Sequence, residues 1–301
     1  MFNFFRSQLR GMFSLLFFVA NLVVHCSVFY ATIIVLAVLP FKKWRIFWRK
    51  RSNSIAMSWI AANGLGKNLT QNFKIVVEGG EDLSKNNWYL VLSNHQSWVD
   101  IHILQTVFRK RIPFLKFFLK KELIWVPFLG LAWWALEFPF MKRYSKEFIK
   151  KNPHLKGKDI EITRRACSKF KRIPVSVMNF VEGTRFDEEK HKKQDSPYKQ
   201  LLRPKAGGIA FVLGVMGEQL TNIVNVTIYY KDGPWNFWDF LCGRIDEVRV
   251  VIETIPITEE IVGDYENDQV FRKKFQHWLT DLWHKKDALL TRIDQEYKDR
   301  T

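Results

Sequence analysis

Trp88-Tyr89-Leu90-Val91-Leu92, followed at once by Ser93-Asn94-His95-Gln96-Ser97-Trp98-Val99-Asp100, decides the architecture of this chain. The apolar run reads as a buried strand, and Ser93 with Asn94 reads as the turn that ends it. Outward from this strand, residues 73–77, 178–181, 224–230 and 248–255 have the same apolar, β-branched character and read as further strands. Between them, Ile162, Ala166, Phe170 and Ile173 recur at helical spacing, so the pattern predicts an amphipathic helix over 160–173. Phe271, Phe275, Trp278, Leu282, Leu289 and Ile293 trace a C-terminal helix. Strands alternating with helices argue for an α/β domain. In such a sheet, ligand chemistry is expected at the carboxyl ends of the strands, where both His95 and Glu182 fall.

A histidine at a strand edge is lifted towards solvent. A carboxylate one turn into the next segment can hold its Nδ1, fixing the tautomer and leaving Nε2 to take a proton, as a general base must. His95 and Asp100 have that spacing. It also fits a capped helix start with Asp100 near its N-terminus, with no chemistry attached. A second cluster favours chemistry. Phe180-Val181-Glu182-Gly183-Thr184-Arg185 again runs from a strand into a tight turn. Gly183 permits a backbone conformation closed to other residues, Thr184 offers a hydroxyl and an N–H, and Arg185 offers a planar fork suited to phosphate. Further on, Arg203-Pro204-Lys205-Ala206-Gly207-Gly208 opens a predicted helix. Lys205 there adds a second cation, beside helix N–H groups that favour anions.

In this order, His-x4-Asp, Glu-Gly-Thr-Arg and Pro-Lys-Ala-Gly-Gly resemble the motifs of the lysophospholipid and glycerol-phosphate acyltransferases, most nearly those acting on 1-acylglycerol-3-phosphate. Lys121-Glu122-Leu123-Ile124-Trp125-Val126-Pro127-Phe128-Leu129-Gly130, closing on Met141-Lys142-Arg143, resembles the second motif of that family. The likeness runs over residues 78–230. It departs at Val181, where the family has proline, at Phe138-Pro139-Phe140-Met141-Lys142 before Arg143, and in a long polar spacer over 186–203. The resemblance implies a mixed central sheet between helical layers. It implies His95 and Asp100 as the catalytic pair, with Arg143, Glu182, Gly183, Thr184, Arg185 and Lys205 around the acceptor. Glu182 is expected to orient the arginine or the acceptor rather than to act as a second base. The acyl donor would be a thioester of coenzyme A or of acyl carrier protein, with no metal and no other cofactor. The aromatic stretch 114–140 fits an acyl-chain path as well as ordinary core.

Bulk properties point the same way. The 301 residues carry a net charge of +17. No acidic residue precedes Glu78, while Arg6, Arg10, Lys42, Lys43, Arg45, Arg49, Lys50, Arg51, Lys67 and Lys74 do. Basic residues beside an apolar anchor are attracted to anionic lipid by on the order of 1 kcal/mol each. Residues 11–41 contain no charged side chain apart from His25, long enough for a tilted span or a short helical hairpin. No cleavage-site pattern follows, so a signal peptide is disfavoured. The division expected is an anchor with a basic flank over 1–50, a link over 51–72 and the catalytic domain over 73–301. The basic residues of 42–51 place that domain on the cytoplasmic side of a membrane, expected to be a bacterial inner membrane. Residues 124–141 carry one charge, Glu137, and would pass for a second span. A crossing there would part His95 from Arg185 and Lys205, so none is expected. Cys26, Cys167 and Cys242 have neither metal-ligand nor disulfide spacing, as in a reducing compartment.

Two other classes compete with this reading. A serine hydrolase built on Ser93 or Ser97 would need a Gly-x-Ser-x-Gly elbow, which the sequence lacks. A basic membrane-binding protein without catalysis explains the charge and the anchor but not the ordered motifs. Nucleic-acid binding, the other reading of a high pI, is disfavoured because the basic residues border the apolar segment.

Overall fold

The computed structural model describes residues 2–38, 41–71, 73–141, 174–233 and 235–300. Its centre is a six-stranded sheet built from β1 (Lys74–Glu78), β2 (Tyr89–Ser93), β3 (Leu115–Phe117), β6 (Ser176–Phe180), β7 (Asn222–Tyr230) and β8 (Glu247–Pro256). The strand order is β1-β8-β7-β2-β6-β3. A two-stranded ribbon joins β4 (Leu119–Lys120) to β5 (Phe140–Met141). β2 runs parallel to both β6 and β7, while β7 and β8 pair antiparallel. The sheet is therefore mixed, as the resemblance implied.

Every residue of β2 is buried, which accounts for its unbroken apolar run. Leu90 and Leu92 join a core on one face, with α6 (Ala206–Met216), which follows the short α5 (Glu188–Lys193), and with the long C-terminal helix α8 (Gln269–Lys298). Tyr89 and Val91 join the core on the other face, with α3 (Asp100–Phe108) and α7 (Phe237–Leu241). Leu90, Val91 and Leu92 are fully buried, and each such side chain contributes about 1.5–3 kcal/mol. Because β2, β6 and β7 are parallel, Ser93, Phe180 and Tyr230 all end on one edge of the sheet. That edge carries the site. The helix expected over 160–173 lies outside the described residues.

The N-terminal region is a pair of helices, α1 (Phe2–Val38) and α2 (Lys42–Thr70). The segment expected to link anchor and domain is thus the second half of a regular helix, and the boundary at residue 50 falls inside it. The two helices run antiparallel. A Cβ on Gly66 would meet the Phe17 ring, Asn21 Nδ2 donates to Asn63 Oδ1 at 2.6 Å, and His25 Nε2 lies 3.1 Å from Ser58 Oγ. α1 also rests on the α/β domain along most of its length. Ser7 Oγ donates to Cys242 O and Trp238 Nε1 donates to Gln8 Oε1. Phe18 packs on His102 and Phe240, and the Cys26 thiol and Tyr30 hydroxyl both point at Phe128 O. Residues 124–141 contain the end of a 3-10 turn (Lys121–Trp125), a seven-residue helix α4 (Leu129–Ala135) and β5. At 1.5 Å per residue α4 is about 10 Å long. It cannot cross a bilayer.

Candidate active site

Asn94, the residue after β2, extends the strand with its side chain. Its Nδ2 donates to Ile228 O and its Oδ1 accepts from Ile228 N, both at 2.9 Å, so the amide pairs with β7 as a backbone unit would. The chain then turns and presents His95. The His95 ring lies flat on Phe180, centroids 3.8 Å apart and planes inclined by 12°. Its Nδ1 is 2.8 Å from Asp100 Oδ2, and its side chain is 13% exposed. Among the described residues Nε2 has no hydrogen-bond partner, as a base awaiting a substrate proton requires.

Asp100 is fully buried and satisfied on both oxygens. Oδ2 accepts from His95 Nδ1, from Gln96 N at 2.7 Å and from Ser97 N at 2.9 Å, while Oδ1 accepts from the Tyr230 hydroxyl at 2.6 Å. Asp100 is also the first residue of α3, near its N-terminus as the structural alternative has it, but the cap position is Val99, without a side-chain bond, and the Asp100 carboxylate turns back into the preceding turn to hold His95. Burial and the neighbouring Asp100 charge hold the Tyr230 phenol well above its usual pKa, so it stays a donor. The two serines are otherwise engaged. Ser93 Oγ donates to Asn94 O and Ser97 Oγ to Trp235 O, which leaves the hydrolase reading without a nucleophile.

Glu182 differs from expectation. It is buried and touches no arginine in the hydrogen-bond network of the described residues. Oε1 accepts from His95 N and Oε2 from Leu202 N, each at 3.1 Å. It ties the turn after β2 to the approach to α6. Its carboxylate is closed in by backbone N–H groups from two distant segments. Burial pushes its pKa up to about 8; those two N–H donors and the buried Lys286 pull against the shift. Lys286 lies on α8, with Nζ donating to Val226 O at 2.6 Å and to Thr227 Oγ1 at 3.0 Å. Burial lowers its pKa to about 7. On the same helix Trp283 Nε1 donates to Leu202 O at 3.1 Å. The C-terminal helix thus reaches the site through two side chains.

The turn after β6 closes over His95, with Phe186 N donating to His95 O at 2.7 Å. Gly183 has φ 69°, the left-handed region that glycine enters freely. A Cβ there would lie 3.1 Å from Lys205 Nζ, so the missing side chain makes room for the lysine. Lys205 N donates to Val181 O at 2.8 Å, which fixes the exposed start of α6 against this turn. Arg185 lies over the Trp98 ring, its Cζ 4.0 Å from the centroid. Thr184 is half-buried in the same turn. His95, Asp100, Gly183, Thr184, Arg185 and Lys205 therefore converge on one edge of the sheet; Arg143 lies outside the described residues. Tyr230, Phe180, Trp98 and Asn94 were not foreseen. Tyr230 alone left a signal, as the last residue of a strand whose carboxyl end faces the site. Among the described residues no group of three or more His, Cys, Asp or Glu side chains is placed to hold a metal ion.

The family model described as Acyltransferase matches residues 74–230, half of the chain. A human relative, 1-acyl-sn-glycerol-3-phosphate acyltransferase gamma, is 25% identical over 181 residues, 56% of this chain and 43% of its own. An uncharacterized acyltransferase of Schizosaccharomyces pombe is 23% identical over 225 residues, 67% of this chain and 58% of its own. The chain thus spans about half the length of the curated relatives it matches. In overall fold it is similar to the crystal structure of PlsC, the 1-acyl-sn-glycerophosphate acyltransferase of Thermotoga maritima. The TM-score is 0.52 at 17% identity, with 97% of this chain and 98% of that one covered. With half its length matched by the family model and the motif residues gathered at one sheet edge, the chain belongs to the acyltransferase family.

Proposed function

We propose that the protein is a membrane-bound O-acyltransferase that moves a fatty acyl group from an acyl thioester to the free hydroxyl of 1-acylglycerol-3-phosphate, forming phosphatidic acid. The observation that carries this reading is the His95–Asp100 pair beside two cations, Arg185 and Lys205, on one sheet edge. His95 Nε2 takes the proton of the acceptor hydroxyl while Asp100 balances the imidazolium. The acceptor oxygen attacks the thioester carbonyl, forming the new C–O bond. The C–S bond then breaks, and the thiolate leaves with the proton that His95 collected. No covalent acyl-enzyme is needed. Arg185 and Lys205 hold the acceptor phosphate, and Arg143 is proposed to join them. The donor is a thioester of coenzyme A or of acyl carrier protein. The names of the relatives support the acceptor class.

The apolar helix α1 supports attachment to a bilayer. Its contacts with the domain from Ser7 to Tyr30 support a helix that lies along the domain rather than standing alone across the membrane. The basic residues of 42–51 support a cytoplasmic placement of the domain, on a bacterial inner membrane. The test is to incubate membranes holding the protein with labelled acyl thioester, with and without lysophosphatidate. Acceptor-dependent label in phospholipid is expected. Label released as free fatty acid, or none transferred, overturns the reading, and a panel of lysophospholipids, lysophosphatidylglycerol among them, ranks the acceptors.

A further inference from the structure

Among the described residues an exposed apolar face lies on the segment 125–134. Trp125, Phe128, Leu131 and Trp134 are 85%, 54%, 47% and 58% exposed, although the segment that carries them is packed on its other side. Ala132 and Leu136 are buried against Phe29 of α1. The display is built rather than incidental. Phe128 sits at φ 63° and ψ −42°, a sparsely populated conformation near the strained γ-turn that costs about 1–3 kcal/mol. Its carbonyl is held by the Tyr30 hydroxyl and the Cys26 thiol. Gly130 lets the turn close, since a Cβ there would lie 1.9 Å from Ile124 O. A contiguous exposed patch of large apolar side chains on a rigid support marks an interaction surface.

We propose that this face is a second lipid-contact surface, sinking into the boundary between head groups and acyl chains beside α1. The inference rests on the membrane-bound reading above. Three observations choose lipid over a protein partner. The patch borders the part of α1 that holds it, where Val23, Val24 and Val28 are also exposed, so the two form one apolar surface. Exposed Lys120 and Lys121 stand at its start, the charge that anionic head groups attract, and two of its four side chains are tryptophan, which favours the interface. A row of aromatic contacts also leads inward from it. Phe117 packs with Ala132, Leu136 and Phe138 and stacks on Phe180 at 6.1 Å, and Phe180 stacks on His95 at 3.8 Å. An acceptor whose acyl chain stays in the bilayer would then reach His95 from the surface that touches the bilayer. Because α4 is too short to cross, the contact is shallow.

The test uses the full chain with Cys26, Cys167 and Cys242 replaced, carrying one environment-sensitive nitrobenzoxadiazole label at a time. The label sits at Trp125→Cys, at Trp134→Cys, at Val24→Cys on α1 or at Lys274→Cys on α8. Vesicles of phosphatidylcholine and phosphatidylglycerol carry brominated or plain acyl chains. Brominated chains are expected to quench labels at 24, 125 and 134 strongly and the label at 274 little. Quenching at 24 without quenching at 125 and 134 overturns this proposal and leaves the membrane-bound reading standing. Quenching at none overturns both. A blue shift at 125 that rises with protein concentration, without bromine quenching, means a second copy covers the face and also overturns it. As a second readout, Trp125→Ser with Trp134→Ser should slow acylation of vesicle-borne acceptor by about tenfold while sparing a short-chain, water-soluble acceptor. Equal rates on vesicles for variant and parent overturn the proposal.

Discussion

The Tyr230 hydroxyl donates a 2.6 Å hydrogen bond to Oδ1 of Asp100, the oxygen that His95 leaves free. The bond joins the end of β7 to the start of α3 and fixes the rotation of the carboxylate, so that Oδ2 faces the imidazole. Tyr230→Phe leaves Oδ1 buried without its donor, a loss of about 1–3 kcal/mol. The expected outcome is a lower kcat, by roughly tenfold, because the carboxylate no longer keeps one rotation beneath the imidazole. An unchanged kcat with only a lower Tm would reduce Tyr230 to a packing residue.

His95→Ala should remove transferase activity, by roughly 10²–10⁴-fold, in a protein that remains folded and membrane-bound. Asp100→Asn should be nearly as severe and less stable. Its amide turns an N–H₂ group towards the Gln96 and Ser97 N–H donors or towards the Tyr230 hydroxyl. Near-normal turnover by folded His95→Ala would end the proposed mechanism.

Arg185→Ala and Lys205→Ala should raise the apparent KM for the phosphorylated acceptor more than for the acyl donor, each loss worth about 1.5–3 kcal/mol. Gly183→Ala should act in the same direction with both cations still present. The new Cβ strains a left-handed turn and presses on Lys205. Steady-state kinetics with each substrate varied separately reads the split, and a change in the donor KM alone would contradict the phosphate assignment.

The strands were legible because β2, β6, β7 and β8 are apolar enough to announce burial. The His95–Asp100 pair was legible because its spacing is local. Tyr230 was not, since it stands 130 residues from Asp100 and only the parallel pairing of β2 with β7 brings it near. The hydrogen-bond partners of Glu182 were not legible either, because backbone N–H groups at His95 and Leu202 leave no trace in residue identity. The helix α2 was not legible, because its basic and Gly-Leu-Gly stretches look irregular. It is packed on α1 through contacts such as Asn21 with Asn63, which neither segment shows alone.

Acid should loosen the seam between α1 and the domain. His102 is buried against Phe18 and Phe240, and burial, with the Lys67 charge, lowers its pKa to about 4 from 6.5. A depressed folded value means that its contribution is present above pH 6.5 and is lost as pH falls through 4. The loss reaches about 3 kcal/mol below that point. His102→Leu should flatten the fall in thermal stability between pH 6.5 and 4, followed by circular dichroism, whereas an identical fall in parent and variant would assign the acid sensitivity elsewhere.

Hydropathy and geometry part company over topology. Residues 124–141 carry a single charge, Glu137, and by composition alone suit a membrane span. If they crossed, with no further crossing before Glu182, the turn bearing His95 would lie on one side and the turn bearing Arg185 on the other. Yet Phe186 N bonds to His95 O at 2.7 Å and Glu182 bonds to His95 N, so the two turns are one structure. A 3-10 turn, a seven-residue helix and a two-residue strand also leave backbone groups that a bilayer core would not satisfy. Single cysteines at Lys110→Cys and Lys193→Cys, on either side of 124–141 in a background without the native cysteines, should therefore react with an impermeant maleimide from the same face of sealed vesicles. Labelling from opposite faces would break the active site as well as the topology, because no substrate could then touch His95, Arg185 and Lys205 together.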